Sequence, residues 1–182
     1  MCGIIGIVGK EQVADRLVDG LRRMEYRGYD SAGICTVEGG QLVRRRAEGK
    51  LVNLEARLAE EPLAGTIGIG HTRWATHGEP SVINAHPHLD FTGRIAVAHN
   101  GIIENYAPIK EELTKRGYTF QTDTDTEVLV NLIEEVQKKE NTTLDNAVRI
   151  ALNEVVGAYA IVVLNKNNPN QLIAARKGSP LV

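Results

Sequence analysis

The sequence predicts an α+β fold in which β-sheets are covered by helices. Apolar runs of strand length occur near both ends and in the middle of the 182-residue chain. The segments between them carry apolar residues at helical spacing. Sheets and helices that each have one apolar face are stable when those faces pack together, so the pattern indicates a layered arrangement. No repeat, low-complexity tract or evident linker divides the chain, and its length suits one domain.

The first third of the chain is predicted to form a strand, a helix and a hairpin. Gly3 to Val8 is an apolar run closed by a glycine, which is typical of a buried strand. Apolar residues at helical spacing predict an amphipathic helix from about Glu11 to Glu25. Two further strands, Ala32 to Glu38 and Gln41 to Arg46, are joined at Gly39-Gly40, and a pair of glycines between strands favours a hairpin.

The remainder of the chain is predicted to alternate between helices and strands. The predicted helices are Leu51 to Glu60, Asn105 to Arg116, Thr126 to Lys138 and Thr143 to Val155. The predicted strands are Thr66 to Gly70, Arg94 to His99, Ala158 to Leu164 and Gln171 to Ala175. Polar, reactive residues follow the strands that end at Gly70 and His99, so we expect a functional site where those strands end.

Composition and charge exclude several classes of partner. Lys and Arg total 21 against 23 Asp and Glu, which gives no electrostatic reason to expect nucleic acid or an anionic membrane surface. No apolar stretch is long enough to span a bilayer, and no signal-peptide pattern begins the chain. We therefore expect a cytoplasmic protein. The chain ends on the apolar Leu181-Val182, which indicates that the domain is incomplete at its C-terminal end.

One of the two cysteines is a candidate nucleophile. Removal of Met1 would leave Cys2 with a thiol and a free α-amine, whose pKa of about 7.7–8.0 suits a general base near neutral pH. Position alone favours the alternative that Cys2 is a small buried apolar residue. Cys35 lies in an apolar run and is interpreted as a buried thiol. Spacing does not exclude a disulfide between the two, although two cysteines make no disulfide framework.

Two polar segments after predicted strands are candidates for substrate binding. His71 to Gly78 holds an arginine, a tryptophan and two histidines. Arg73 offers a planar fork suited to a carboxylate, and Thr76 and His77 are placed to add hydrogen bonds. In the second segment, the Asn100 amide together with a backbone N–H at Gly101 is suited to an oxyanion hole, although Asn-Gly is also common in turns.

The polar segment Thr122 to Glu127 precedes a predicted helix, so Asp or Thr is expected at its N-cap. Capping by one residue leaves another carboxylate free to bind a cation such as an α-ammonium group. The histidines fit no common zinc spacing, and the sequence has no P-loop or G-x-G-x-x-G motif. We therefore expect neither a metal site nor nucleotide binding by those motifs.

Several long motifs occur in a single order along the chain. They are Cys2-Gly3-Ile4-Ile5-Gly6, Tyr26-Arg27-Gly28-Tyr29-Asp30-Ser31-Ala32-Gly33, His71 to Pro80, Asn84-Ala85-His86-Pro87-His88, His99 to Asn105 and Thr124-Asp125-Thr126-Glu127. With these motifs the whole chain resembles the glutaminase domain of the glutamine–fructose-6-phosphate aminotransferase family. Related class II amidotransferases share the Cys2 start and an Asn-Gly motif.

The resemblance implies an N-terminal-nucleophile fold, a four-layer αββα sandwich with two antiparallel sheets. Residues 1–182 would be a type 2 glutamine amidotransferase domain that is incomplete at its C-terminal end, without the synthase half. The full-length enzyme would transfer ammonia to fructose 6-phosphate through a C-terminal sugar-phosphate isomerase domain, and would form a homodimer. The resemblance implies L-glutamine as substrate, and neither a metal nor an organic cofactor.

The resemblance also assigns roles to residues. Cys2 would attack the side-chain amide of glutamine, and Asn100 with the Gly101 N–H would stabilise the oxyanion. Arg73, Thr76 and His77 would hold the substrate carboxylate, whereas Asp125 would hold its α-ammonium group. Trp74 resembles a residue that gates ammonia passage. The residues expected to shape the site are Arg27, Gly28 and His86.

Two other interpretations stay open at this point. The chain is also compatible with the glutaminase half of another amidotransferase, such as amidophosphoribosyltransferase. A non-catalytic amino-acid-binding domain would keep Arg73 and Asp125 without needing Cys2. If Met1 were retained, the α-amine of Cys2 would be an amide and the mechanism would lose its base.

Overall fold

The computed structural model, which describes residues 2–181, contains two four-stranded antiparallel sheets and five α-helices in that part of the chain. The strands are β1 (Gly3–Val8), β2 (Ser31–Glu38), β3 (Gln41–Glu48), β4 (Ile67–Arg73), β5 (His88–Leu89), β6 (Ile95–Ile103), β7 (Gly157–Asn165) and β8 (Leu172–Lys177). The helices are α1 (Ala14–Arg22), α2 (Leu51–Glu60), α3 (Tyr106–Lys115), α4 (Asp125–Glu140) and α5 (Leu144–Asn153). The first sheet has the order β1-β4-β2-β3 and the second the order β5-β6-β7-β8.

The two sheets pack face to face between helices. Successive side chains of a strand point to opposite faces, and β2 shows the result. Its Ala32 and Ile34 pack with α1 and α2, whereas Cys35 and Val37 contact the second sheet. The far face of the second sheet packs on α4 and α5. The predicted α+β class and the four-layer αββα arrangement with two antiparallel sheets are therefore confirmed.

The hairpin between β2 and β3 forms where the glycine pair predicts it. Gly39 and Gly40 have φ angles of 54° and 74°, and Glu38 pairs with Gln41 across the turn. Two consecutive residues with positive φ are characteristic of the type I′ turn, whose twist matches that of the flanking strands. The glycines are needed here because side chains rarely adopt this conformation.

Strands β4 and β6 extend further than the sequence predicts. β4 ends at Arg73 rather than Gly70, because Thr72 pairs with Gly3 on one side and Arg73 pairs with Ser31 on the other. β6 continues to Ile103, where it pairs with Gly157 of β7. The first residues of the two polar segments are thus held rigidly in sheets, and the expectation that they follow the strand ends is wrong.

Other boundaries differ by a few residues. Helix α1 is shorter than predicted, and a separate 3₁₀ turn, Glu25–Arg27, follows it. The two-residue strand β5 was not predicted because it is too short to show the periodicity of a strand. It pairs with β6 through His88–Val97 and Leu89–Ala96.

Two properties of the chain bear on the sequence expectations. Cys2 and Cys35 are both free thiols, and Cys35 is buried as predicted. Within residues 2–181, none of the helices has both the length and the apolar character required to cross a membrane.

Candidate functional site

The candidate site lies where β1, β4 and β6 approach one another at the interface between the two sheets. Cys2 immediately precedes β1, and Gly3 N–H donates to Thr72 Oγ1 of β4 at 3.0 Å. Asn100 of β6 comes from the second sheet, and its Nδ2 lies 3.5 Å from the Cys2 carbonyl oxygen. Both sheets therefore contribute side chains to one pocket. Its lining is Cys2, Arg73, Trp74, Thr76, His86, His99, Gly101, Thr124, Asp125 and Thr126.

The Cys2 thiol is positioned by the backbone of Trp74. Trp74 N–H donates to Cys2 Sγ at 3.2 Å, and Sγ lies 3.6 Å from the Trp74 carbonyl oxygen. Burial raises the pKa of the Cys2 thiol above its ordinary value, although the Trp74 N–H and the Arg73 charge act in the opposite direction. A thiol with a raised pKa needs a base to become a nucleophile near neutral pH.

Asn100 and Gly101 follow each other on β6, beside Cys2. His71 Nε2 lies 2.7 Å from Asn100 Oδ1, which leaves Nδ2 on the side of Cys2. Gly101 has a φ angle of 127°, and a Cβ atom there would lie 2.1 Å from the carbonyl oxygen of Ala158. The close approach of β7 therefore admits only glycine at this position. The predicted pair of oxyanion donors is brought next to the thiol.

Arg73 is a buried cation at the end of β4. Its guanidinium donates to the backbone carbonyls of Gly78 and Glu79, each at 3.2 Å, and to that of His77. These bonds hold the loop after β4 against the pocket. Burial lowers the pKa of Arg73, opposed by the charges of Asp30, Cys2 and Asp125. No carboxylate of the described chain forms an ion pair with it, so its charge is available to an anionic ligand.

Asp125 supplies the opposite charge across the pocket. Thr124 is the N-cap of α4 and accepts from Glu127 N–H at 3.3 Å, so the predicted capping is confirmed for a threonine. Asp125 is left with one backbone contact, from Ile103 N–H to Oδ2 at 2.8 Å. The His99 ring lies 4.0 Å from its carboxylate, and burial lowers the pKa of that histidine. A buried carboxylate beside a neutral imidazole suits a cationic ligand.

The other predicted residues lie around these groups. Thr76 is exposed at the mouth of the pocket. The carbonyl of His77 accepts from Arg73, whereas its ring lies 4.0 Å from the Asp125 carboxylate and edge-on to Tyr106. The side chain of His77 is thus nearer to the acidic end of the pocket than to the basic end.

Trp74 and the residues near it form the outer wall beside Cys2. The Trp74 side chain is 55% exposed, and a Cβ atom on Gly28 would lie 3.0 Å from its ring. Gly28 has a φ angle of 75°, which side chains rarely adopt, so both its backbone conformation and the nearby Trp74 ring favour glycine at this position. Arg27 lines a second cavity on this side, which also contains Cys2, Trp74 and Ile102. Of the predicted site-shaping residues, Arg27 therefore shares a cavity with Cys2, and Gly28 packs against the neighbouring Trp74.

The predicted site-shaping residue His86 belongs to a group of four buried histidines. Its ring centroid lies 4.2 Å from that of His71, 4.7 Å from that of His88 and 6.4 Å from that of His99. Burial lowers the pKa of all four imidazoles, so they are neutral near pH 7. Within residues 2–181, no group of histidine, cysteine and acidic side chains has the geometry of a metal site.

The sequence interpretation missed Asp30, which immediately precedes β2 and binds the backbone on both sides of Trp74. Asp30 Oδ2 accepts from Ala75 N–H at 2.6 Å, and Asp30 N–H donates to the Arg73 carbonyl at 2.7 Å. These two bonds fix the peptide that points Trp74 N–H at the thiol. Asp30 stands in one of the motifs, but its residue type alone does not show which backbone group it binds.

Substitution of Asp30 should change the reactivity of Cys2. Burial is the main cause of the raised pKa of the Cys2 thiol, and the Asp30 carboxylate adds to it. Asp30→Asn keeps an acceptor for Ala75 N–H but removes the charge, so the pH profile of Cys2 alkylation should move to lower pH. Asp30→Ala also removes the acceptor and should slow turnover about tenfold, the effect of one lost hydrogen bond.

The alkylation rate of Cys2 by iodoacetamide, followed by mass spectrometry as a function of pH, measures the first effect. Asp19→Asn is the matched control, because the Asp19 side chain lies exposed on α1 and its carboxylate pairs with Arg22. A profile for Asp30→Asn that coincides with that of Asp19→Asn would contradict this account of Asp30.

Comparisons with known proteins place the chain among amidotransferases. A family model of the glutamine amidotransferase domain matches residues 71–180. A curated glutamine–fructose-6-phosphate aminotransferase (isomerizing) of Rhizobium meliloti (strain 1021) is 58% identical over 181 residues. That of Caulobacter vibrioides is 58% identical over 182 residues. Each alignment covers 100% of this chain, and the chain spans 29% and 30% of the two relatives, respectively.

Solved structures share the fold. The glutamine phosphoribosylpyrophosphate amidotransferase from B. subtilis, in complex with ADP and GMP, superposes with a TM-score of 0.79 at 29% identity. The match covers 97% of this chain and 37% of that one. A structure described as the allosteric regulatory enzyme of purine biosynthesis gives a TM-score of 0.77 at 30% identity, covering 91% of this chain and 36% of the other.

Proposed function

We propose, from the premise that the chain belongs to the glutamine amidotransferase domain family, that it hydrolyses the side-chain amide of L-glutamine to glutamate and ammonia. The observation that carries this proposal is the thiol of Cys2 at a pocket that also holds the buried carboxylate of Asp125 and the guanidinium of Arg73, which forms no ion pair with a carboxylate within residues 2–181. Arg73 and Asp125 offer one cation and one anion, which match the α-carboxylate and α-ammonium of a free amino acid.

The proposed first half of the reaction forms a thioester. Once Met1 is removed, the α-amine of Cys2 takes the thiol proton, and Sγ attacks the amide carbon of glutamine. Met1 itself lies outside the described residues. Negative charge develops on the amide oxygen, where the Asn100 Nδ2 and the Gly101 N–H are proposed to stabilise it. The intermediate collapses as the α-ammonium returns its proton to the leaving nitrogen, which releases ammonia and leaves a glutamyl thioester.

The proposed second half is hydrolysis of that thioester. The α-amine of Cys2 takes a proton from water, and the hydroxide adds to the thioester carbonyl with the same oxyanion donors. Breaking the carbon–sulfur bond releases glutamate, and the proton returns to the thiolate. These steps use groups of this chain and water, so the proposal includes no metal and no organic cofactor.

Substrate orientation is assigned to the charged ends of the pocket. Arg73, with Thr76 and His77, is proposed to hold the α-carboxylate, and Asp125 the α-ammonium group. Because His77 contributes its carbonyl to Arg73 and its ring lies beside Asp125, its part in the proposal is to fix the loop after β4 between these two charged residues. Trp74, exposed beside Cys2, is proposed to gate the escape of ammonia.

We further propose that the ammonia is transferred to fructose 6-phosphate in a full-length protein with a C-terminal isomerase domain, which would form a homodimer. Support comes from the 58% identity with relatives named glutamine–fructose-6-phosphate aminotransferase, against 29% with the phosphoribosylpyrophosphate amidotransferase. The second candidate, an amidophosphoribosyltransferase, has the same nucleophile and differs in its acceptor.

The proposal is tested by measuring ammonia and glutamate release from L-glutamine by protein with and without Met1. Protein whose N-terminus is Cys2 should release both products at equal rates, whereas protein that retains Met1 should release neither at a comparable rate. Ligand-induced stabilisation without turnover in the processed protein would instead support an amino-acid-binding domain. Addition of fructose 6-phosphate or phosphoribosylpyrophosphate to the full-length protein distinguishes the two acceptors.

A further inference from the structure

The Asn100 carboxamide is held from behind by a buried histidine. His71 has no solvent exposure, and its Nε2 lies 2.7 Å from Asn100 Oδ1. Both residues point into the interface between the sheets, because His71 has the parity of Ile67 and Ile69 on β4, and Asn100 that of Ala96 and Ala98 on β6. The contact thus joins the first sheet to the second directly behind Cys2.

The position of the His71 ring is fixed by its neighbours. His71 pairs with Ile4 on one side and Gly33 on the other, in the middle of the first sheet. The His86 ring packs against it with centroids 4.2 Å apart. His86 reaches this place because Gly33 lacks a side chain, since a Cβ atom there would lie 2.2 Å from the His86 carbonyl oxygen. The glycine, the two rings and the amide form a continuous chain of contacts.

The protonation of His71 follows from burial and from this contact. Burial lowers its pKa to about 3, and the Asn100 amide and the His99 backbone offset only part of that effect. A neutral imidazole carries one proton. Because Oδ1 of Asn100 accepts hydrogen bonds only, the proton belongs on Nε2, and Nδ1, which has no hydrogen-bond partner in residues 2–181, is left as an acceptor.

We propose that His71 is a positioning residue for the oxyanion hole, whose Nε2–H selects the orientation of the Asn100 carboxamide that presents Nδ2 to the reacting carbonyl. This inference rests on the proposed glutamine hydrolysis. An amide can rotate by about 180° with little change in shape. The rotated amide would place an oxygen, rather than a donor, beside the developing oxyanion. His71 disfavours that orientation because two donors, Nε2–H of the ring and Nδ2–H of the amide, would then face each other, unless the ring moved its proton to Nδ1.

Removal of the His71 donor should lower kcat much more than it changes KM. Loss of one oxyanion donor costs about 10²–10³-fold in kcat, and a misoriented Asn100 retains part of its effect. We therefore expect His71→Leu to lower kcat about 10- to 100-fold, with little change in KM for L-glutamine. His71→Gln places an amide N–H near the former Nε2 and should recover most of the loss.

A double-mutant cycle separates positioning from general damage to the core. In an Asn100→Ala background, His71→Leu should cause no further loss of kcat, since the group that it positions is gone. A cycle in which the two losses multiply would overturn the proposal. Thermal unfolding and the alkylation rate of Cys2 show whether each variant is folded around the thiol.

The tautomer of His71 gives a readout that does not depend on turnover. The ¹⁵N shifts of the ring nitrogens, assigned by comparison with His71→Gln, should show a proton on Nε2 and none on Nδ1. In Asn100→Ala this preference should be lost. A proton on Nδ1 in the unsubstituted protein would overturn the proposal even if glutamine is hydrolysed. If Nε2 is protonated but the protein has no glutaminase activity, the proposed function is rejected. The inferred contact between His71 and Asn100 would still stand in that case.

Discussion

Replacement of Cys2 by alanine is expected to lower kcat for glutamine hydrolysis by about 10⁴-fold or more, as removal of a nucleophile does in other acyl-transfer enzymes. The physical reason is that the other thiol, that of Cys35, cannot replace it. Cys35 is buried in the core between the sheets, and burial raises the pKa of its thiol to about 12. Initial rates of glutamate release from Met1-free protein provide the measurement.

The matched control for this prediction is Cys35→Ala. It removes the other thiol of the chain without touching the pocket, so kcat should be nearly unchanged, and only the free energy of unfolding should fall. Turnover that survives in Cys2→Ala, or that is lost in Cys35→Ala with the fold intact, would contradict the assignment of the nucleophile.

The second large effect is expected from Arg73→Ala, which should raise KM for L-glutamine about 100-fold. Truncation of one partner of a buried, hydrogen-bonded charge pair costs about 2–5 kcal/mol, and about 2.7 kcal/mol corresponds to that factor. Arg73→Lys keeps the charge but not the planar fork, so it should have an intermediate KM. Steady-state kinetics over a wide range of glutamine concentration measures these values.

Arg73 also binds the carbonyls of the loop from His77 to Glu79, so its removal could act through the loop alone. A substrate analogue without the α-carboxylate, 4-aminobutanamide, separates the two effects. If Arg73 binds the carboxylate, Arg73→Ala should raise KM for glutamine but leave kcat/KM for the analogue nearly unchanged. Equal losses for both substrates would show that Arg73 supports the loop and not the substrate.

The local signals of the sequence predict most of the elements. Helix α2 has the predicted bounds, and β1 and the turn at Gly39-Gly40 lie where their patterns place them. The extensions of β4 to Arg73 and of β6 to Ile103 were missed because long-range pairing with β1, β2 and β7 holds polar residues in the sheets. Pairing of this kind is tertiary and overrides local composition.

For the site as well, the sequence predicts which types of residue take part but not where their atoms lie. The sequence identifies Arg73, Asn100 and Asp125 by their chemistry, and the structure brings all three to the neighbourhood of Cys2. The sequence does not show that the Arg73 guanidinium binds carbonyls of the loop that follows it, or that the His77 ring lies near the Asp125 carboxylate. Nor does the sequence show that Asp30 binds the backbone N–H of Ala75, or that His71 contacts the Asn100 amide. These facts depend on which atoms face each other between strands far apart in sequence. For His71, the available signal in the sequence is the alternation of side chains along β4 and β6, which places His71 and Asn100 on the faces of the two sheets that meet.

The most direct test of the central claim is labelling of Met1-free protein with an electrophilic glutamine analogue, such as a diazo ketone. Intact mass should show one adduct, and peptide mapping should place it on Cys2. Excess L-glutamine should protect against it, and Arg73→Ala should slow it. An adduct on Cys35, or labelling of Cys2 that glutamine does not slow, would contradict the claim that Cys2 is the nucleophile of a glutamine site.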